Sequence, residues 1–261
     1  MARGMVMRLT GRTILITGGT SGIGLELAKR LLERGNVVIV TGRDRQRLDT
    51  TRQASPGLHA FQSEAGDPAA ILALRHAVLA QFPALDVLVN NAGIMRKLDL
   101  NQERDLLDLT REIDINLCGP VRMVQAFLPH LRTRKDALVV NVSSGLAFVP
   151  MPISPIYCAT KAAIHSFSQS LRAQLAGTSV SVVELAPPGT ETPLFRGEFE
   201  QELQGQKAMS AQVLVAKAIR GIEAGKLEIR PGLSNVLRTM SRLAPDLMFK
   251  QLAKIGKAQA A

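Results

Sequence analysis

Tryptophan is absent from these 261 residues, tyrosine occurs once, and aromatic side chains together make up 3%. A chain so poor in rings offers no platform for stacking nucleobases, and its core must be aliphatic. Two cysteines, Cys118 and Cys158, are too few for a disulfide framework or a cysteine-built zinc site, which fits a reducing compartment. No stretch approaches the roughly 20 apolar residues that span a bilayer. Residues 1–10 carry arginines but no continuous apolar segment of the signal-peptide kind. The expectation is a soluble, cytoplasmic protein. His59, His76, His130 and His165 are scattered without ligand spacing, so no metal is expected. Nothing in the chain reads as a helix-turn-helix or a finger, and no nucleic-acid partner is expected.

What is present is an aliphatic, basic chain. With 46% hydrophobic residues and no linker, one domain covering 1–261 is expected. The formal net charge of +10 admits nucleic acid, an anionic membrane or an anionic cofactor, and charge alone does not choose among them. The order of segments says more. Residues 13–17 read as a buried strand that runs into Gly18-Gly19-Thr20-Ser21-Gly22-Ile23-Gly24; Leu25, Leu27, Ala28, Leu31 and Leu32 then recur at helical spacing until Gly35. Strand, glycine turn and helix make a dinucleotide-binding unit, because glycines let backbone close on a pyrophosphate resting at the positive end of the helix. A second strand, 37–41, ends in Gly42-Arg43-Asp44, where such folds sense the adenosine ribose. The Arg43 fork suits a 2′-phosphate and favours NADP(H), while Asp44 keeps NAD(H) open.

Residues 58–62 and 86–89 read as a third and a fourth strand. The third leads to Ser63-Glu64-Ala65-Gly66-Asp67-Pro68, with Asp67 as the cap of a helix over 70–82. The fourth closes on Asn90-Asn91-Ala92-Gly93, small and amide residues that suit a cofactor ribose or, equally, a plain turn. Residues 106–131 carry helical patterning interrupted at Gly119-Pro120, with Asn116 among apolar neighbours. A buried asparagine there is either a tie between backbone groups or part of a proton-carrying water network. A fifth strand, 137–142, ends in Ser143-Ser144, and 13 residues after Ser144 stands the lone Tyr157. Lys161 follows one helical turn later, which places its ammonium beside the phenol. A neighbouring positive charge favours the phenolate and brings a group with a pKa of about 10 toward use as a general acid or base. A sixth strand at 180–185, a helix at 211–224 and a seventh strand at 227–230 complete the pattern.

These segments resemble the classical short-chain dehydrogenase/reductase family over nearly the whole chain. Thr17 to Gly24 is similar to its TGxxxGxG, Asn90 to Gly93 to its NNAG, and Tyr157 to Lys161 to its YxxxK; Ser144 stands at the spacing of the family's catalytic serine and Asn116 looks like its tetrad asparagine. The resemblance implies a Rossmann-like, doubly wound α/β fold: a parallel sheet of seven strands with helices on both faces, in three layers. It implies hydride transfer between NADP(H) and the carbonyl or alcohol carbon of a small to medium, largely apolar substrate. Tyr157 would be the general acid/base, Ser144 would hold the substrate oxygen, Lys161 would tune the phenol and meet the nicotinamide ribose, and Asn116 would hold a water. The implied cofactor contacts begin with Gly18, Thr20, Ser21, Gly22, Ile23 and Gly24 in the glycine turn and Arg43, Glu64 and Ala65 around the adenosine. Asn91, Ala92, Gly93, Tyr157 and Lys161 then meet the middle of the cofactor, and Pro187, Thr190 and Thr192 its nicotinamide end. Pro188 takes the place of a glycine in that last loop, Glu64 that of an aspartate, and Ser21 that of a second basic residue, so the case for NADP(H) rests on Arg43. The resemblance further implies homodimers or homotetramers built through 106–131 and 157–175. The competing reading is a redox-sensing or regulatory module that binds NADP with little turnover.

By the same resemblance the substrate walls come from the loop before Tyr157, the segment after Gly93 and a lid at about 193–210. They offer Met95, Phe148, Met151, Ile153, Leu194 and Phe195, each equally at home in an ordinary core. Arg96 and Arg196 either meet an acidic substrate or are solvated loop arginines. The tail at about 233–261 mixes Leu237, Met240, Leu243, Leu247, Met248 and Leu252 with Arg238, Arg242, Lys250, Lys254 and Lys257, interrupted by Pro245. Such a basic amphipathic tail is expected to pack on its own or a partner subunit, with peripheral contact to an anionic membrane as the alternative.

Overall fold

Aliphatic β-branched runs build the centre of the molecule. A computed structural model describes residues 7–255; the first six residues and the end of the tail from 256 on, Lys257 included, lie outside the described residues. In chain order the elements are β1 (Thr13–Ile16), α1 (Gly22–Glu33), β2 (Val37–Gly42), α2 (Arg45–Ala54), β3 (His59–Gln62), α3 (Pro68–Gln81) and β4 (Val87–Asn90). There follow α4 (Leu106–Ile113), a π-helical turn at Asp114–Cys118, α5 (Gly119–Leu131), β5 (Ala137–Val142), a 3-10 turn at Gly145–Ala147, α6 (Pro155–Gln174) and β6 (Val180–Leu185). The chain closes with α7 (Pro193–Arg196), α8 (Ala211–Glu223), β7 (Glu228–Ile229), α9 (Leu233–Leu243) and α10 (Pro245–Leu252).

The seven strands form one parallel sheet in the order β3-β2-β1-β4-β5-β6-β7. Every residue of β1, β4 and β5 is buried, as expected where helices cover both faces of a parallel sheet. Alternation along the strands sorts the two sides. Ile14, Ile16, Val38, Val40, Val87 and Val89 pack with Leu27 and Leu31 of α1 and Leu214 and Ile219 of α8, whereas Leu15, Ile39, Leu88 and Val139 pack with Leu74 of α3 and Phe127 of α5. The result is the expected three-layer, Rossmann-like arrangement. Because β1 pairs with β2 on one side and β4 on the other, strand order reverses there and leaves a crevice at the carboxyl ends.

Helices α2 and α7 have no counterpart in the sequence pattern, and two further regions differ from it. The interruption between α4 and α5 is the π-turn rather than Gly119-Pro120 itself, and Asn116 sits inside it. Gly119 lies so close to α3's lead-in that a Cβ would come within 2.4 Å of the Ala65 carbonyl oxygen, so the chain bulges around it. The tail folds as a hairpin of α9 and α10, and α9 lies against the 3-10 turn that follows Ser144, with Ser234 and Leu237 buried.

Candidate active site

A cavity of about 720 Å³ opens along the carboxyl edge of the sheet. One end is built for an anion. Five of the helices, α2, α3, α4, α7 and α8, begin with a side chain that caps a backbone N–H: Asp44, Asp67, Asp105, Thr192 and Ser210. α1 does not; Ser21 leaves the first N–H groups without a side-chain partner, and Ser21, Gly22 and Ile23 line the cavity. A 12-residue helix whose start is uncapped and faces a cavity is suited to a phosphate group. The glycines make room. Gly18 has φ +66° and a Cβ there would meet Ala92 Cα at 2.8 Å, while Gly24 does not line the cavity but lets the helix close on Asn91 Nδ2 and the Gly18 carbonyl, each 2.4 Å from where a Cβ would stand.

Asn91 itself is a clamp, its Nδ2 donating to the Thr17 and Gly18 carbonyls. Thr17 Oγ1 accepts from the N–H groups of Asn91 and Ala92. The NNAG-like turn and the glycine turn are thereby one unit. Thr20, Arg43, Glu64, Ala65, Ala92 and Gly93 all line the cavity, and so does Arg47, one turn along α2, which the sequence reading missed. The signal was there: Arg43 and Arg47 are four apart, although a loop residue and a helical one share a face only if the turn between them is tight. These donors fit the phosphates and ribose of a dinucleotide.

The other end gathers polar groups in an apolar shell. Ser144, Tyr157 and Lys161 line the cavity together. Tyr157 is held by Met151, Cys158, Phe199 and Leu203. Lys161 Nζ donates to the Val142 carbonyl at 2.9 Å and lies 5.5 Å from the centroid of the Tyr157 ring. Burial pushes the phenol well above its ordinary range, and the hydrogen bond with Ser144 draws it back only in part. Burial also lowers the Lys161 ammonium to about 8. The expected depression of the phenol by Lys161 is therefore not what this geometry produces, since burial dominates at both groups. Asn116 stays behind the cavity wall as a backbone tie: Oδ1 accepts from Ile94 N at 2.9 Å and Nδ2 donates to Ile94 O at 2.8 Å. Its Oδ1 and the Lys161 ammonium both border Gly93.

Met95, Met151, Leu194 and Phe195 line the cavity, as do Pro187, Thr190 and Thr192. The two threonine hydroxyls hold their own loop, Thr190 donating to Pro188 O and Thr192 to Thr190 O. Phe148 and Ile153 are not among the lining residues. Phe148 stands edge-on to His165, 5.1 Å between centroids, beneath the Arg238 guanidinium, and Ile153 packs behind Tyr157 and Met151. Arg96 and Arg196 are occupied by Asp108 and Glu191. The hairpin supplies walls absent from the sequence reading: Leu233 and Leu237 of α9, Leu252 of α10, and Ile255 beyond it. His165 Nδ1 meets Glu184 at 2.7 Å, and Glu184 also accepts from Ser143 Oγ at 2.5 Å. Glu228 nearby is paired with Arg172 and Arg230, so that carboxylate is already neutralised by the protein.

One buried carboxylate stands out beside this machinery. Glu112 is fully buried; its Oε1 accepts from Arg96 N at 2.9 Å, and its Oε2 has no partner. With Asn116 one turn on, it fixes residues 94–96 and thus the Met95 wall. Burial raises its pKa from 4.5 to about 7. A carboxyl with a raised folded value binds its proton more tightly in the native state, so its contribution to stability is full below 4.5 and is lost as pH rises through about 7. Glu112→Gln should flatten the decline in urea midpoint between pH 5 and pH 8; an unchanged slope would show that another group sets it.

Comparison with known proteins extends this picture. Residues 12–203 match the family model described as short chain dehydrogenase. The chain is 42% identical over 247 residues to the uncharacterized oxidoreductase DltE of Bacillus subtilis, covering 94% of this chain and 98% of that one. It is 32% identical over 210 residues to the NADP-dependent 3-hydroxy acid dehydrogenase YdfG of Salmonella typhimurium, covering 79% and 85% respectively. In fold it is similar to a short chain dehydrogenase from Burkholderia cenocepacia solved with NADP: TM-score 0.81 at 22% identity, covering 94% of this chain and 99% of that one.

Proposed function

Since the chain belongs to the short chain dehydrogenase family of oxidoreductases, we propose that it transfers a hydride between NADP(H) and the carbonyl or alcohol carbon of a small to medium, largely apolar substrate, with Tyr157 as general acid/base. The observation that carries this reading is a single cavity. An uncapped helix start and two arginines border one part of it, and Ser144, Tyr157 and Lys161 border another. The α1 N-terminus would hold the pyrophosphate, Arg43 and Arg47 a 2′-phosphate, and Gly93 with Lys161 the nicotinamide ribose. When bound, the nicotinamide supplies or accepts the hydride. Tyr157, kept protonated by burial, gives its proton to the substrate oxygen during reduction, and Ser144 orients that oxygen by a hydrogen bond. The aliphatic walls exclude water and favour an apolar group beside the carbonyl. The name of the YdfG relative includes NADP dependence, which supports the same cofactor here.

The test is a panel of ketones and aldehydes offered with NADPH and with NADH in parallel, following cofactor oxidation. Turnover with NADPH on apolar members is expected; none with either cofactor would overturn the reading. Arg43→Ala and Arg47→Ala should each raise the KM for NADPH roughly tenfold, the weight of a charge-assisted contact, and leave that for NADH nearly unchanged. Equal losses for both cofactors would place the arginines elsewhere on the nucleotide.

A further inference from the structure

The hairpin of α9 and α10 has two faces with different tasks. Its inner face closes the cavity through Leu237, Leu252 and Ile255. The outer face leaves large apolar side chains in the open: Leu233 is 57% exposed, Val236 49%, Leu243 75% and Leu247 54%, and Leu247 shares its side of α10 with Lys250, three residues on. Leu233 belongs to both, since it lines the cavity while more than half of it is exposed. At Leu233 the cavity lining reaches the exposed side of the hairpin. Between Leu233 and Ile255 the chain carries Arg238, Arg242, Lys250 and Lys254 against one carboxylate, Asp246. Among the described residues none of these four cations forms an ion pair; Arg238 lies over the Phe148 ring and the other three side chains are exposed.

We propose that the outer face of α9 and α10 docks on the surface of an anionic lipid bilayer, with Leu243 and Leu247 entering the headgroup layer and Arg242, Lys250 and Lys254 meeting lipid phosphates. An amphipathic helix with apolar side chains on one side and unpaired cations flanking them binds such a surface by both terms at once. A second copy of the chain is the poorer occupant, because like hairpins would bring unpaired cations face to face. No helix among the described residues is long and apolar enough to cross a membrane, so the attachment is peripheral. The hairpin also borders the cavity, so docking would bring its apolar rim to the lipid and let a lipid-soluble carbonyl compound pass along Leu233. That last step rests on the function proposed above.

The full-length protein is sedimented with phosphatidylcholine vesicles and with vesicles that also contain phosphatidylglycerol. Partition is expected to be at least roughly tenfold stronger on the anionic vesicles and to weaken in high salt. R242Q, K250Q and K254Q should each weaken it about fivefold, the value of one cation near such a surface. L243S/L247S should abolish it with NADPH affinity unchanged, since neither residue lines the cavity. Equal partition on both vesicles, or partition that survives both sets of substitutions, overturns the proposal. So does a double variant that halves the molar mass in light scattering while the parent protein ignores vesicles, which would make the face a subunit contact. Sedimentation needs no turnover, so its failure counts against the docking face, whereas absent hydride transfer with intact vesicle binding counts against the enzymatic reading alone.

Discussion

Tyr157→Phe is expected to lower kcat by roughly 10²- to 10⁴-fold, the range supplied by a positioned general acid, while NADPH binds with unchanged affinity. The substitution removes one oxygen and keeps the ring that Met151, Cys158, Phe199 and Leu203 enclose, so the fold and the cavity walls persist. What is lost is the only phenol in the chain. Ser144 accepts from Leu146 N at 3.1 Å, and its hydroxyl can still meet the substrate oxygen, which is why some activity should survive. Burial holds the phenol protonated at neutral pH. That state suits the donor in reduction; oxidation needs the phenolate, which the positive charge of an oxidised nicotinamide favours. Single-turnover reduction, together with a fluorescence titration of NADPH, separates the two effects. A variant that reduces substrate at the parental rate would remove Tyr157 from the chemistry.

The sheet was legible because its signal is local. A β-branched run such as Val38-Ile39-Val40, bounded by Gly35 and Gly42, reads as a buried strand, and glycine after β1 can be read from the helix that follows. The three polar groups facing the cavity were legible by spacing: Tyr157 and Lys161 share one turn of α6, and Ser144 stands two residues past β5 in a parallel sheet whose carboxyl edge is common to every strand. What escaped depends on contacts far apart in the chain. Phe148 lies in the loop after Ser144, yet its direction is decided by His165 and Arg238. Leu233, Leu237 and Leu252 looked like any amphipathic tail, because hydrophobic spacing tells which face is buried and not against what. The absence of a cap on α1 acquires meaning only beside Asp44, Asp67 and Asp105, which cap its neighbours. Charge was misleading at Lys161 for a related reason: spacing places an ammonium near a phenol, but the sign of the resulting shift depends on how much water remains around both.

Lys161→Met should lower kcat/KM for reduction by roughly 10²- to 10³-fold, the cost of deleting one preorganised electrostatic donor. Methionine fills much of the same space but leaves the Val142 carbonyl without its donor and removes the cation that borders Gly93 and Asn116. The pH profile distinguishes this from a packing defect. Burial lowers the Lys161 ammonium from 10.5 to about 8, so in the parental protein kcat/KM should fall as pH rises through about 8 and the charge is lost. In the variant that alkaline limb should disappear and leave a low, flat profile. Stability moves the other way. Between about 8 and 10.5 the native state holds fewer protons at this site than the unfolded chain, so the contribution of Lys161 to stability rises with pH over that window. Activity that declines above pH 8 while the urea midpoint holds or climbs therefore identifies deprotonation of Lys161, and not alkaline unfolding, as the cause. An alkaline limb that persists unaltered in Lys161→Met would assign it to another group.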